Sequence, residues 1–254
     1  MGLDGSWWLL LFWAFGAEVI GTMAGFGAAT VLTPIAAMFM DMKTAIAVVA
    51  CFHLSGNASR LLFFGRHINW RVWAQFGVTG VIFSLLGAGV TTRLSSSTIK
   101  ILFGLFLLLY VWWSSVREGS WTLPAAPVTL LGGGTASGFI AGLIGTGGAI
   151  RSACLLAFGY PKEVYIGTSA AIALIVDATR LPVYLTQRLI PASLAPVVGS
   201  LVVAAFLGAW VGQRLVQRIS SNAFRRIVTA MLFFMGLKLL WDGWAQTVGW
   251  HGMA

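Results

Sequence analysis

The chain has 254 residues, of which 58% are hydrophobic and 9% charged, with a formal net charge of +9. A soluble domain carries about a quarter of its residues as charged side chains, so this composition excludes a water-soluble fold. The basic excess forms no patch. Lys and Arg sit in short loops between apolar runs, where they hold a segment at the cytoplasmic face, which removes nucleic acid as a partner and leaves membrane lipid.

In chain order, a long apolar span at 6–24 ends at Gly25-Phe26-Gly27. A short apolar piece at 25–40 follows, closed by the polar step Asp41-Met42-Lys43, and then three spans near 44–64, 72–92 and 98–116. A polar connector around Arg117 to Pro127 leads to a span at 127–144 and the break Gly145-Thr146-Gly147-Gly148. A second short piece at 145–159, the polar step Pro161-Lys162-Glu163 and spans near 164–186, 191–212 and 224–241 complete the chain. A bilayer demands about 20 apolar residues per helix. The two short pieces are marginal for that, and a re-entrant or half-helix geometry suits them equally. We therefore expect an all-α polytopic membrane protein with 8 full-length transmembrane helices and 2 short Gly-broken segments. The start, MGLDGSWW, has no Lys or Arg before the first apolar run. It lacks the basic opening of a cleavable signal peptide, so the first span is expected to remain.

Sliding the sequence on itself by 120 residues lays Gly25-Phe26-Gly27-Ala28-Ala29 on Gly145-Thr146-Gly147-Gly148-Ala149. The same shift lays Asn57-Ala58-Ser59-Arg60-Leu61 on Asp177-Ala178-Thr179-Arg180-Leu181, and one residue further along Gly87-Ala88 and Arg93-Leu94 fall on Gly208-Ala209 and Arg214-Leu215. Matches in the same order at nearly the same offset point to duplication. We read residues 1–120 and 121–254 as two homologous modules of a single transmembrane domain. Five passes per module make the copies inverted, and four make them parallel. The positive-inside rule gives the same bias either way; it places both termini on the periplasmic side and Arg214, Arg218, Arg225 and Arg226 in the cytoplasm. Broken elements in duplicated modules are a common transporter plan, and on that ground we expect inverted repeats.

Ionisable groups inside spans are costly, so each is a functional candidate: Glu18, His53, Arg60, Arg151, Asp177, Arg180 and Lys238. His53, Asn57 and Arg60 share a helical face, as do Asp177, Arg180 and Tyr184 in the matching span. Two such stripes should face each other or a shared cavity. The plainer reading of Asp177 and Arg180 is mutual neutralisation that pins neighbouring helices. Arg60 has no acidic residue within its own helix turn. A helix that starts after Gly25 and Gly27, or after Gly145, Gly147 and Gly148, exposes unpaired N–H groups and the positive end of its dipole, a seat for an anion. Arg151 stands where the first copy has Val31. It either pairs with Glu18 or Asp177 or lends its charge to a bound anion. Three Arg against two carboxylates leave one positive charge in excess, which suits an anionic substrate. Glu18 and Asp177 are candidates for proton coupling, and His53 is another titrating carrier. Glu18 as a fixed partner of Arg151, and His53 as a helix contact, are the structural alternatives. Cys51 and Cys154 lie in apolar segments and read as small fillers. No metal motif, nucleotide-binding loop or catalytic dyad appears, so we expect no cofactor, no metal and no enzymatic activity.

The duplicated module, the Gly25-Phe26-Gly27 … Pro34 stretch with its echo Gly145-Thr146-Gly147-Gly148, and the loop phrase His67-Ile68-Asn69-Trp70 resemble the TauE/SafE sulfite exporter family, also called the 4-toluene sulfonate uptake permeases. The resemblance covers nearly the whole chain. It implies a secondary transporter of sulfite, sulfoacetate or other organosulfonates, driven by the proton gradient, with Gly25, Gly27, Gly145, Gly147 and Gly148 near the substrate path. The chain departs from that pattern at Ala28 and Ala29, which replace part of a glycine run, at Cys154, where Pro is expected, and at Arg151. An added Arg argues for an anion with several charged oxygens. The expected protein is thus an inner-membrane, proton-coupled exporter with Arg60, Arg151, Arg180, Asn57 and His53 at the substrate. An anion channel and a carrier of another small carboxylate or oxyanion are the alternatives, and a homodimer is compatible with either.

Overall fold

A computed structural model describes residues 7–25, 27–116, 124–215 and 221–248. Phe26, Arg218 and the polar connector at 117–123 lie outside these residues, and the side chains of Arg225 and Arg226 are not described. The described chain contains ten α-helices: α1 (Trp7–Ala24), α2 (Ala29–Ala36), α3 (Met42–Phe64), α4 (Trp70–Arg93), α5 (Ser96–Val116), α6 (Pro127–Ile144), α7 (Gly148–Ala157), α8 (Lys162–Thr186), α9 (Ala195–Leu215) and α10 (Ser221–Thr247). Six of them, α3, α4, α5, α6, α8 and α9, are long and apolar enough among the described residues to cross a membrane. The protein is a multi-pass membrane protein. Its α2 and α7 have 8 and 10 residues. At about 1.5 Å per residue these helices rise about 12 and 15 Å, half of the roughly 30 Å hydrocarbon layer.

Local chemistry explains the boundaries. Asp41 caps α3, its carboxylate accepting from the Lys43 N–H at 3.0 Å, and Asn69 caps α4 through the Val72 N–H at 3.2 Å. Pro127 opens α6, where its missing N–H costs nothing. Gly25 (φ +73°) and Gly145 (φ +85°) end α1 and α6 in the left-handed region that glycine enters without strain.

The centre of the bundle is the pair α3 and α8, the most buried of the long apolar helices. They run antiparallel, with His53 beside Asp177 and the Phe64 carbonyl beside Gly167. Helix α5 crosses α10 antiparallel, Gly104 lying on Gly236 and Leu240, and Gly243 on Ser97 and Ile101. Helix α4 runs parallel to α6, from Gly80 on Gly134 to Gly87 on Gly142 and Leu143, and α1 runs parallel to α9, with Gly208 on Phe15 and Glu18 and Gly212 on Val19 and Thr22. Outward faces such as Val78, Ile82, Leu86, Phe206 and Phe234 remain exposed, as lipid requires.

The α4–α6 seam is glycine-lined because backbones approach directly there, with no hydrophobic force in lipid to hold a looser contact. A Cβ on Gly138 would strike the Gly80 backbone, whereas one on Gly132 meets nothing within 4 Å. We expect Gly138→Ala to cost roughly 1–3 kcal/mol through overpacking and Gly132→Ala to gain up to about 1 kcal/mol of helix propensity. Melting temperatures in detergent of the two single variants check both signs.

Candidate functional site

Two buried ion-pair networks brace the ends of α1 and α6. The Arg60 guanidinium is spent on protein. Its Nη2 meets Glu18 Oε1 in a very short contact, Nε donates to Thr22 Oγ1 at 2.9 Å and Nη1 to Asn57 Oδ1 at 2.9 Å. Thr22 in turn donates to Glu18 at 3.1 Å. Arg60 thus has an acidic partner after all, supplied by α1, where no spacing within α3 could reveal it. Glu18 belongs to Arg60 and not to Arg151.

The second network is the equivalent one. Arg180 Nε donates to Asp177 Oδ1 at 2.9 Å, Nη1 to the Ala141 carbonyl and Nη2 to the Gly145 carbonyl at 3.1 Å. Tyr184 donates to the Gly142 carbonyl at 2.7 Å, and Thr91 Oγ1 stands 2.7 Å from that of Leu143. The last carbonyls of a helix have no partner within it, and in hydrocarbon no water substitutes. Side chains of α4 and α8 cover them here, which is why a helix can stop inside this bundle. The plain pairing of Asp177 with Arg180 exists, and the same Arg secures the break.

The two stripes do meet. Asp177 Oδ2 lies 2.7 Å from His53 Nδ1 and 3.4 Å from Asn57 Nδ2. Asn57 and Asp177, equivalent under the 120-residue shift, therefore touch one another.

The glycine breaks come together at the same centre, each against the other half of the chain. The Gly25 carbonyl faces the hydroxyls of Ser169 at 3.2 Å and Ser152 at 3.4 Å, and Thr30 at the start of α2 shares a 2.5 Å hydrogen bond with Thr146 of the second break. A Cβ on Gly25 would enter the Tyr165 ring, and one on Gly27 (φ +89°) would stand 2.5 Å from His53 Nε2. Both positions need glycine for conformation and for space. Gly147 packs its own way, its carbonyl accepting from Ser137 at 2.9 Å, and Gly148 begins α7.

Arg151 stands apart. It projects from the first turns of α7, is 3% exposed, and donates from Nε to Ser169 Oγ at 3.0 Å. Among the described residues it has no carboxylate partner: Glu18 is held by Arg60, and Asp177 by Arg180 and His53. A buried guanidinium without a counter-ion is a strong attractor for an anion. Lys238, by contrast, pairs with Asp242 at 2.8 Å on a partly exposed face and does not join the site.

Sequence reasoning missed Ser152, Ser169, Thr22, Thr30 and Thr146, all hydroxyls in apolar segments. Ser169 repeats on the same face of α8 as Asp177, eight residues away, and Thr22 lies one turn from Glu18. The signal was helical spacing, which singles out a hydroxyl as readily as a charge. Among the described residues no group of His, Cys, Asp and Glu could hold a metal ion, and Cys51 and Cys154 are free thiols.

A helical membrane bundle whose centre holds paired helix breaks, buried charge networks and one uncompensated Arg is the construction of a membrane transporter. Residues 10–239 match the family described as Sulfite exporter TauE/SafE, and the chain belongs to that family. It is also similar to a probable membrane transporter protein of Methanocaldococcus jannaschii, with 26% identity over 261 aligned residues covering 91% of this chain and 94% of that protein. No solved structure matches it.

Proposed function

We propose that the protein is a secondary transporter of small sulfur-containing anions, sulfite, sulfoacetate or other organosulfonates, whose export across the bacterial inner membrane by alternating access is coupled to protons. The observation that carries this reading is Arg151, buried beside both glycine breaks and ion-paired with no carboxylate among the described residues. A sulfonate or sulfite group offers the planar fork of a guanidinium several oxygens at once. In this reading Arg151, with Ser152, Ser169 and the break residues Gly25, Gly27, Gly145, Gly147 and Gly148, contacts the anion. Arg60 with Glu18, and Arg180 with Asp177, keep the broken helix ends in place, and Asn57 and His53 join the two halves.

The architecture we propose is two inverted modules, 1–120 and 121–254, with eight crossing helices and two half-helices. Two features support it. The equivalent helices α3 and α8, and likewise α5 and α10, run antiparallel, and the parallel seam α4–α6 has its counterpart in α9–α1. With every long helix crossing, α1 and α3 point the same way, so residues 25–41 carry the chain back. Each module then counts five passes, and both termini fall on the periplasmic side.

Proteoliposomes test the function. Uptake of sulfite, sulfoacetate and taurine should exceed that of acetate, phosphate and alkali cations, and should follow an imposed pH gradient. Sulfur-anion flux that ignores the pH gradient would make the protein a channel. Preference for acetate or phosphate would retain a transporter and discard the sulfur substrate.

A further inference from the structure

Two buried polar atoms at the centre have no hydrogen-bond partner among the described residues, Glu18 Oε2, which lies against Gly56 of α3, and the far nitrogen of the His53 ring, which alone of the two faces a glycine break. His53 Nδ1 lies 2.7 Å from Asp177 Oδ2. An ionised carboxylate only accepts, so Nδ1 carries the hydrogen and donates it, and in the neutral ring Nε2 holds the lone pair. His53 is 3% exposed, and Nε2 finds no hydrogen-bond partner among the described residues. It points at the first glycine break, since a Cβ on Gly27 would stand 2.5 Å from it. Leaving such an acceptor dry is costly, and a purely structural contact would not need it. Two residues away in the same break, the Gly25 carbonyl meets Ser152 and Ser169, the latter bonded by Arg151.

We infer that His53 co-binds a proton with the anion. A proton from solution adds to Nε2, no bond breaks, and the new N–H donates toward the ligand at the Gly25–Gly27 break while Asp177 steadies the imidazolium from behind. The inference rests on the anion-transport reading and adds the coupling residue to it. Its charge arithmetic suits a carrier, because a monovalent anion arriving with one proton leaves the net charge of the site as it was when empty. Loaded and empty forms then meet the same electrostatic cost on crossing the low-dielectric interior. Asp177 of α8 is the charged group bonded to the ring. The elements around it also carry Arg180, Tyr165 and Tyr184 on α8, Glu18 on α1, Arg151 on α7, Lys100 and Tyr110 on α5, Arg60 and Cys51 on its own helix and Arg214 at the end of the described part of α9, and α2 carries none.

The test is calorimetric titration of purified wild-type protein with methanesulfonate, an anion that stays ionised throughout, in buffers of different ionisation heat. On the alkaline side binding should take up close to one proton per anion, and affinity should fall about tenfold per pH unit. His53→Gln should bind without proton uptake and with a flat pH profile. If that variant does not fold, wild type labelled with ¹⁵N-histidine still decides. Of the 3 His in the chain, one should move to the imidazolium form on adding methanesulfonate. Binding without uptake, uptake that persists in His53→Gln, or unmoved histidine signals would overturn the assignment to His53 and leave the anion reading standing. No binding of methanesulfonate, sulfoacetate or sulfite at any pH would overturn both.

Discussion

Arg60→Ala is expected to destabilise the protein by about 3–5 kcal/mol, because removing one member of a buried ion pair strands the other. Glu18, with no exposed surface, would lose its Arg60 contact, and the Asn57 and Thr22 oxygens that now accept from the guanidinium would lose their donor as well. The double variant Glu18→Gln, Arg60→Met should recover a large part of the loss, since it removes both charges and roughly keeps the volume. Melting temperatures in detergent for Glu18→Gln, Arg60→Met and the double variant close the cycle. Strict additivity would show that the two groups do not act as a pair.

Arg151→Gln should behave in the opposite way. Truncating a buried charge that holds a charged ligand costs about 2–5 kcal/mol of binding, so anion affinity should drop roughly 30-fold or more, at about 1.4 kcal/mol per decade. The unliganded protein should keep its melting temperature or gain, because the lost charge had no carboxylate to leave behind among the described residues. The expected contrast is a loss of stability at Arg60 and a loss of ligand affinity at Arg151. A ligand-induced rise in melting temperature, which follows from mass action, should be present in wild type and absent in Arg151→Gln. An Arg151→Gln protein that unfolds early yet still binds sulfonates would reverse these roles.

Much of this molecule is legible in its residues. The apolar runs place nine of the ten described helices to within about four residues at each end, α10 running to Thr247 beyond the expected 241, and the span expected at 127–144 is α6 as found. Composition alone requires the membrane, because a chain with 9% charge has no polar surface to give to water. The breaks were legible too, since Gly25, Gly27 and Gly145 adopt positive φ, which other residues enter at a cost.

Pairing across helices was not legible. The spacing of Arg60 pointed to a charge without a partner, and tertiary packing brought Glu18 to it from another helix. Glu18 and Asp177 looked equally available to Arg151, and only the fold shows that both are already taken. The reason is physical. Periodicity reports which side chains share a face of one helix, because that follows from 3.6 residues per turn. Which faces meet, and which of several buried charges is left without a counter-ion, depends on how helices cross. Here that crossing is set by glycine contacts between backbones far apart in the chain, such as Gly138 on Gly80.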